Sequence, residues 1–198
     1  MTASSFKSDL EKEKRLSGFL DALYDRHLTH YTHHREKNLS EQHSGVDVVF
    51  THLTSGQRYF IDEKAQLDYI NEDLPTFAFE LSYLKQSKRK KGWLFDPNKK
   101  TQFYALVTGI FSDAPNCFTA AKITLVNRQL LIHHLGRLHI SEDTIGLPKL
   151  HGRHLLSGLD PNTEGYLFLS KKNKAEAPLN LILRLDYLIA IGVAKRLV

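Results

Sequence analysis

Residues 45–50, Gly-Val-Asp-Val-Val-Phe, and residues 59–66, Tyr-Phe-Ile-Asp-Glu-Lys-Ala-Gln, decide how the chain is read. Both are rich in β-branched and aromatic residues and predict strands, over 46–52 and 58–66. Thr54-Ser55-Gly56-Gln57 between them is a turn signal, which makes the two a hairpin. Side chains alternate faces along a strand, so Asp62, Lys64 and Gln66 point one way and Ile61, Glu63 and Ala65 the other. An acid, an ammonium and an amide on one strand face are costly to bury unless they are paired or meet solvent or a metal. Asp47, flanked by valines in the neighbouring strand, supplies the complement. Pairing through the turn sets position 47 opposite 64 or 66, so a stagger of one or two residues is needed to bring Asp47 onto Asp62.

Working outward, residues 9–31 predict a first helix, with Leu16, Phe19, Leu20, Leu23, Tyr24, His27 and Tyr31 on one apolar face and Ser8 or Asp9 as its cap. Residues 32–44 are polar and read as a loop. Residues 76–83 alternate again, and with the hairpin predict a three-stranded antiparallel meander. Strands are expected over 102–110 and 118–126, then a helix over 127–137 capped by Asn127. Residues 141–163 read as irregular, 165–169 and 179–183 as closing strands, and 185–196 as a last helix. No repeat or low-complexity linker interrupts the 198 residues, so one domain is expected. The class is α/β, a central mixed sheet with the site on its antiparallel meander and helices flanking it.

Cys117 is the only cysteine, which excludes an intramolecular disulfide and a cysteine-rich zinc site. The first thirty residues carry no apolar h-region, and no apolar run is long enough to span a bilayer. A soluble, cytoplasmic protein with no membrane partner is the expectation. Net charge is +5, and its distribution is uneven. Between positions 85 and 100, Lys85, Lys88, Arg89, Lys90, Lys91, Lys99 and Lys100 face one acid, Asp96, for a local charge of +6. Such a run is by default a solvated loop, but interleaved with Trp93, Phe95, Phe103 and Tyr104 it suits a phosphate backbone. His27, His30 and His34 share a helical side, yet no Glu joins them in an H-E-x-x-H pattern, so no zinc site is expected.

Two carboxylates and a nearby main-chain carbonyl make a hard oxygen site suited to Mg²⁺ or Mn²⁺, and a lysine two residues on can act on charge developing at phosphorus. The order Asp47, fourteen intervening residues, then Asp62-Glu63-Lys64 resembles the signature of the PD-(D/E)xK nuclease superfamily, which has the restriction-endonuclease-like fold. Val46 stands where the signature has Pro. Gly92-Trp93 and residues 100–104 also resemble bacterial nuclease-like proteins. The resemblance implies that Asp47, Asp62 and the carbonyl of Glu63 bind metal, that Lys64 is catalytic, and that a Glu of the first helix assists. Glu13 is the choice for that role, with Glu11 and Asp21 as competitors. Gln66 would hold a phosphate or water, and Glu80 would be a further acid. The implied activity is Mg²⁺-dependent hydrolysis of DNA, with a homodimer as a plausible assembly. The alternatives are a nucleic-acid-binding protein that keeps the fold without turnover, and an unrelated α/β domain whose Asp62 and Lys64 form a surface ion pair.

Overall fold

The computed structural model describes residues 3–115, 117–171 and 176–198, with side chains from residue 12 onward. Helix α1 (Ala3–His27) is followed by β1 (Tyr31–Arg35), α2 (Leu39–His43), and the hairpin β2 (Val48–His52) and β3 (Arg58–Ala65). Next come β4 (Thr76–Lys85), β5 (Lys88–Lys91), β6 (Phe103–Ala114), β7 (Cys117–Asn127) and α3 (Arg128–Arg137). The chain closes with β8 (Gly152–His154), β9 (Gly165–Leu169), β10 (Leu179–Arg184), α4 (Leu185–Ala190) and β11 (Ala194–Arg196).

Two sheets result. The first is mixed and six-stranded, in the order β1-β2-β3-β6-β7-β11. Only β3 and β6 run parallel in it. The second is five-stranded and antiparallel, in the order β5-β4-β10-β9-β8. Alternation along β6 explains the layering. Tyr104 and Leu106 join the core shared with the second sheet, whereas Ala105, Val107 and Ile110 face α1. Leu16, Leu20 and Tyr24 of α1, each no more than 3% exposed, fill that second core. Burying each stabilises the fold by roughly 1.5–3 kcal/mol. The shared core is made by Phe79, Leu169, Leu181, Leu131 and Leu135, so α3 packs between the sheets' apolar faces.

Several expectations are corrected. The antiparallel meander does not form: β4 leaves the hairpin and enters the second sheet, so β3 instead takes β6 as a parallel neighbour. Phe77, Phe79 and Leu81 form a wholly buried face, which is satisfied against the other sheet rather than beside β3. The first helix starts before Ser8 and Asp9 and ends at His27. Tyr31 and His34 lie in β1, so His27, His30 and His34 share no helical side. The predicted loop at 32–44 holds β1 and α2, with Asn38 capping α2 by accepting from the Ser40 amide. The basic run is not simply a loop. Gln86 and Ser87, at φ 51° and 60°, form a two-residue turn that pairs β5 with β4. The last helix stops at Ala190, and after Gly192 (φ 75°) the chain extends as β11 against β7. The Asn127 cap stands, its side chain accepting from the Leu130 amide at 3.0 Å. No helix among the described residues is long and apolar enough to cross a membrane.

Candidate functional site

The hairpin register sets the site. Thr51 pairs with Arg58 and Val48 with Ile61, and His52 N–H donates to the Gln57 carbonyl at 2.9 Å, so the turn occupies residues 53–56, one position earlier than expected. That shift slides β2 by two positions against β3 and brings Asp47 level with Asp62, supplying the stagger that the sequence required. Asp47 N–H donates to the Ile61 carbonyl at 2.8 Å, and Glu63 N–H donates to Asp47 Oδ2 at 2.8 Å. The N–H and C=O of one strand residue leave by the same edge. The Glu63 carbonyl is therefore directed to the side where Asp47 stands.

Asp62 is 2% exposed, and Lys64 Nζ donates to its Oδ1 at 2.5 Å. The Lys64 ammonium also sits 5.5 Å from the centre of the Trp93 ring, a cation–π contact that holds the side chain over the acid pair. Trp93 reaches that position because Gly92 N–H bonds the Leu81 carbonyl, and a Cβ on Gly92 would run into the Glu80 backbone. Asp47 is half-buried, and its carboxyl is pushed up to about 7. Burial is the main cause. The charge of Asp62 and a hydrogen bond shared with it add to the effect, against the opposing Lys64 charge and Glu63 amide. A carboxylate crowded against Asp47 strengthens its hold on its proton, an arrangement that a divalent cation would relieve.

A cavity of about 600 Å³ opens beside the pair, with Glu13, Arg35, Gln42, Asp47 and Lys64 among its walls. Glu13 of α1 lines this cavity. The side chain of Glu11 lies outside the described residues. Asp21 is engaged elsewhere, in an ion pair with Arg35 at 2.9 Å. Gln66 is near Lys64, but its amide nitrogen donates to the Thr76 carbonyl at 2.9 Å and ties the end of β3 to the start of β4. Glu80 lies opposite Asn180 on the outer face of the second sheet, on the alternate face from Phe79.

On the reverse face of β3 is a network that the sequence reading missed. The Glu63 carboxylate accepts from Tyr24 Oη at 2.6 Å and from Arg35 at 2.6 Å, and Arg35 pairs with Asp21. Burial, reinforced by the Glu63 charge and hydrogen bond, pushes the Tyr24 phenol well above its usual range. This network fixes α1, and with it Glu13, against the strand that carries the acid pair. An Arg in the polar stretch after the first helix is the available signal, but the polar composition of residues 32–44 reads as a loop.

The basic run divides. Lys99 donates to the His43 carbonyl at 2.7 Å and Lys100 pairs with Glu41 at 2.8 Å, docking this segment beside Gly45 and the acid pair. Gly45 has φ +80°, and a Cβ there would strike Thr101 Oγ1, whose hydroxyl donates to the Gly45 carbonyl. Lys88, Arg89, Lys90 and Lys91 form the edge strand β5, where Arg89 donates to the Ala177 carbonyl and Lys91 pairs with Glu142. Lys85 closes β4 at the same hairpin. Among the described residues no group of three or more His, Cys, Asp or Glu side chains is arranged to hold a metal. The candidate set is two carboxylates and a carbonyl. No family model, curated protein or solved structure matches the chain.

Proposed function

We propose that the chain is a Mg²⁺- or Mn²⁺-dependent nuclease that hydrolyses DNA phosphodiester bonds at Asp47, Asp62 and Lys64. One observation carries the reading. Two carboxylates from neighbouring segments meet at the hairpin, Asp47 raised to about 7 by burial and by the Asp62 charge, with Lys64 in contact with Asp62, and Asp47 and Lys64 on the wall of an open cavity. Perturbed acids of this kind concentrate at functional sites. The residues fit a hard cation: Asp47, Asp62 and the Glu63 carbonyl would hold it, and Glu13 borders the same space. Bound there, the cation would supply Lewis-acid stabilisation of charge on the phosphoryl group. Lys64 would donate hydrogen bonds to the oxygens on which charge builds, and Glu13 would accept the proton of the attacking water. The Trp93 ring keeps the Lys64 ammonium from swinging away from Asp62.

The second reading is a nucleic-acid-binding protein without turnover. The closeness of Lys64 to Asp62 favours it, since the pair neutralises its own charge without a cation. Cleavage assays on single- and double-stranded DNA in Mg²⁺, Mn²⁺, Ca²⁺ and EDTA, run beside gel shifts, separate the two. The nuclease reading expects cleavage in Mg²⁺ or Mn²⁺ and binding alone in Ca²⁺, whose looser coordination does not place a water in line. Lys64→Ala is expected to lose at least about 100-fold in turnover. Unchanged turnover in that variant, or no cleavage in any metal, decides against catalysis.

A further inference from the structure

The outer face of the second sheet is unusual for an antiparallel sheet turned to solvent. Such faces are ordinarily polar. Here the alternation that sends Leu167, Leu169, Leu181 and Leu183 into the core leaves Tyr166, Phe168 and Ile182 half-exposed on the other side. The registers line them up: Arg153 lies opposite Phe168 and Phe168 opposite Asn180, while Tyr166 lies opposite Ile182 and Ile182 opposite Ala78. The Arg153 guanidinium stacks 4.2 Å from the Tyr166 ring centre. The His151 ring meets Phe168 edge-on at 5.6 Å. Arg184 continues the same face of β10, and Glu80 ends the Phe168–Asn180 row. A groove of about 710 Å³ joins Phe168, Asn180 and Ile182 to Trp93, Lys64 and Glu13.

We infer that this groove and the sheet face beside it bind single-stranded nucleic acid, with one base stacked on Phe168 in the groove, the next on Tyr166 at its margin, and the strand led from Phe168 to Lys64. Tyr166 and Phe168 stand two residues apart on one strand, about 7 Å, a spacing that an extended single strand can match base for base. Flat rings flanked by Arg153 and Arg184 offer both of the things such a strand presents, a π-face and a phosphate. A duplex hides its base faces in its own stack and gains little from these rings. The inference deepens the nuclease reading by naming the substrate form, and it rests on that reading only for where the strand leads.

The test is fluorescence anisotropy of a dye-labelled oligo-dT and of a matched duplex, in EDTA, with the full chain and with Phe168→Ala and Phe168→Leu. The ring is half-exposed, and the Leu variant keeps apolar bulk while removing the π-face, so a loss common to both is a stacking loss. Wild type is expected to prefer the single strand. Both variants should weaken that binding by roughly tenfold and leave duplex binding unchanged. Equal single-strand affinity of wild type and Phe168→Ala, or a wild type that prefers duplex, overturns the inference. If ring-dependent binding appears and no metal supports cleavage, the groove stands and the nuclease reading falls. If cleavage occurs and the rings do not matter, the reverse holds.

Discussion

Asp47 is the acid of the site whose chemistry departs from the ordinary. Its carboxyl titrates near 7 in the folded chain, against 3.8 for an unperturbed aspartate. A raised acid binds its proton more tightly when folded, so stability from this group is greatest at low pH. It falls as pH rises from about 4 to about 7, and above that the ionised pair opposes folding. Asp47→Asn removes the repulsion without changing shape. In EDTA at pH 8 the variant is expected to be more stable than wild type by about 1–2 kcal/mol, after discounting for solvent screening. Its stability should also be flat between pH 4 and 7. Urea melts across that range check both points, and a pH slope unchanged in the variant would mean that the Asp47 carboxyl is not raised. Mg²⁺ should stabilise wild type at pH 8 and lose that effect in Asp47→Asn.

Strand β3 is the element on which the site turns, because its two faces hold different polar groups. Asp62 and Lys64 point to one side, where Lys64 meets Trp93, and Glu63 points to the other, where it meets Arg35 and Tyr24 and lines the cavity with Arg35. Replacing Arg35 by Met leaves the Glu63 carboxylate, whose side chain is 11% exposed, without its cation. The expected cost is about 3 kcal/mol, read from the urea midpoint, and α1 loosens with it. Glu13 would then be displaced, so activity should fall more than the loss of folded protein explains. Strand identities were largely legible in the sequence, since period-two alternation over 58–66 and 76–83 survives any change of partner. The partners were not. Nothing local in Thr76–Lys85 distinguishes a third strand of a meander from the first strand of a second sheet; that choice is made by Leu residues a hundred positions later. Asp62, Lys64 and Asp47 could be paired because one hairpin joins them. The Trp93 contact and the Arg35 network depend on close approaches between distant segments, which composition does not encode.

For the molecule as a whole, the charge map gives a measurable quantity. Lys91 and Lys100 are each paired with a glutamate on the surface, so they contribute less to a polyanion's binding than their number suggests. Replacing Lys88 and Lys90 by Gln should lower the slope of log affinity against log salt by about 1.4 if both meet phosphates of a single strand. An unchanged slope would leave β5 as a solvated edge. The short hairpin turn between β2 and β3 has a consequence for how the chain folds. It draws Asp47 and Asp62 together through local sequence alone, whereas β6, Trp93 and Thr101 arrive only after the long stretch 66–102 has found its place. Closing the short loop comes early and the distant pairing late. In an early-forming hairpin the two like charges meet before much of the surrounding framework is in place. There the carboxylates are still solvated, and the burial that raises Asp47 arrives with the late framework, so the pH dependence should fall on unfolding, faster at pH 8 than at pH 5 in stopped-flow mixing, with refolding nearly unchanged. The acid pair would then set how long the folded chain persists, not how fast it forms.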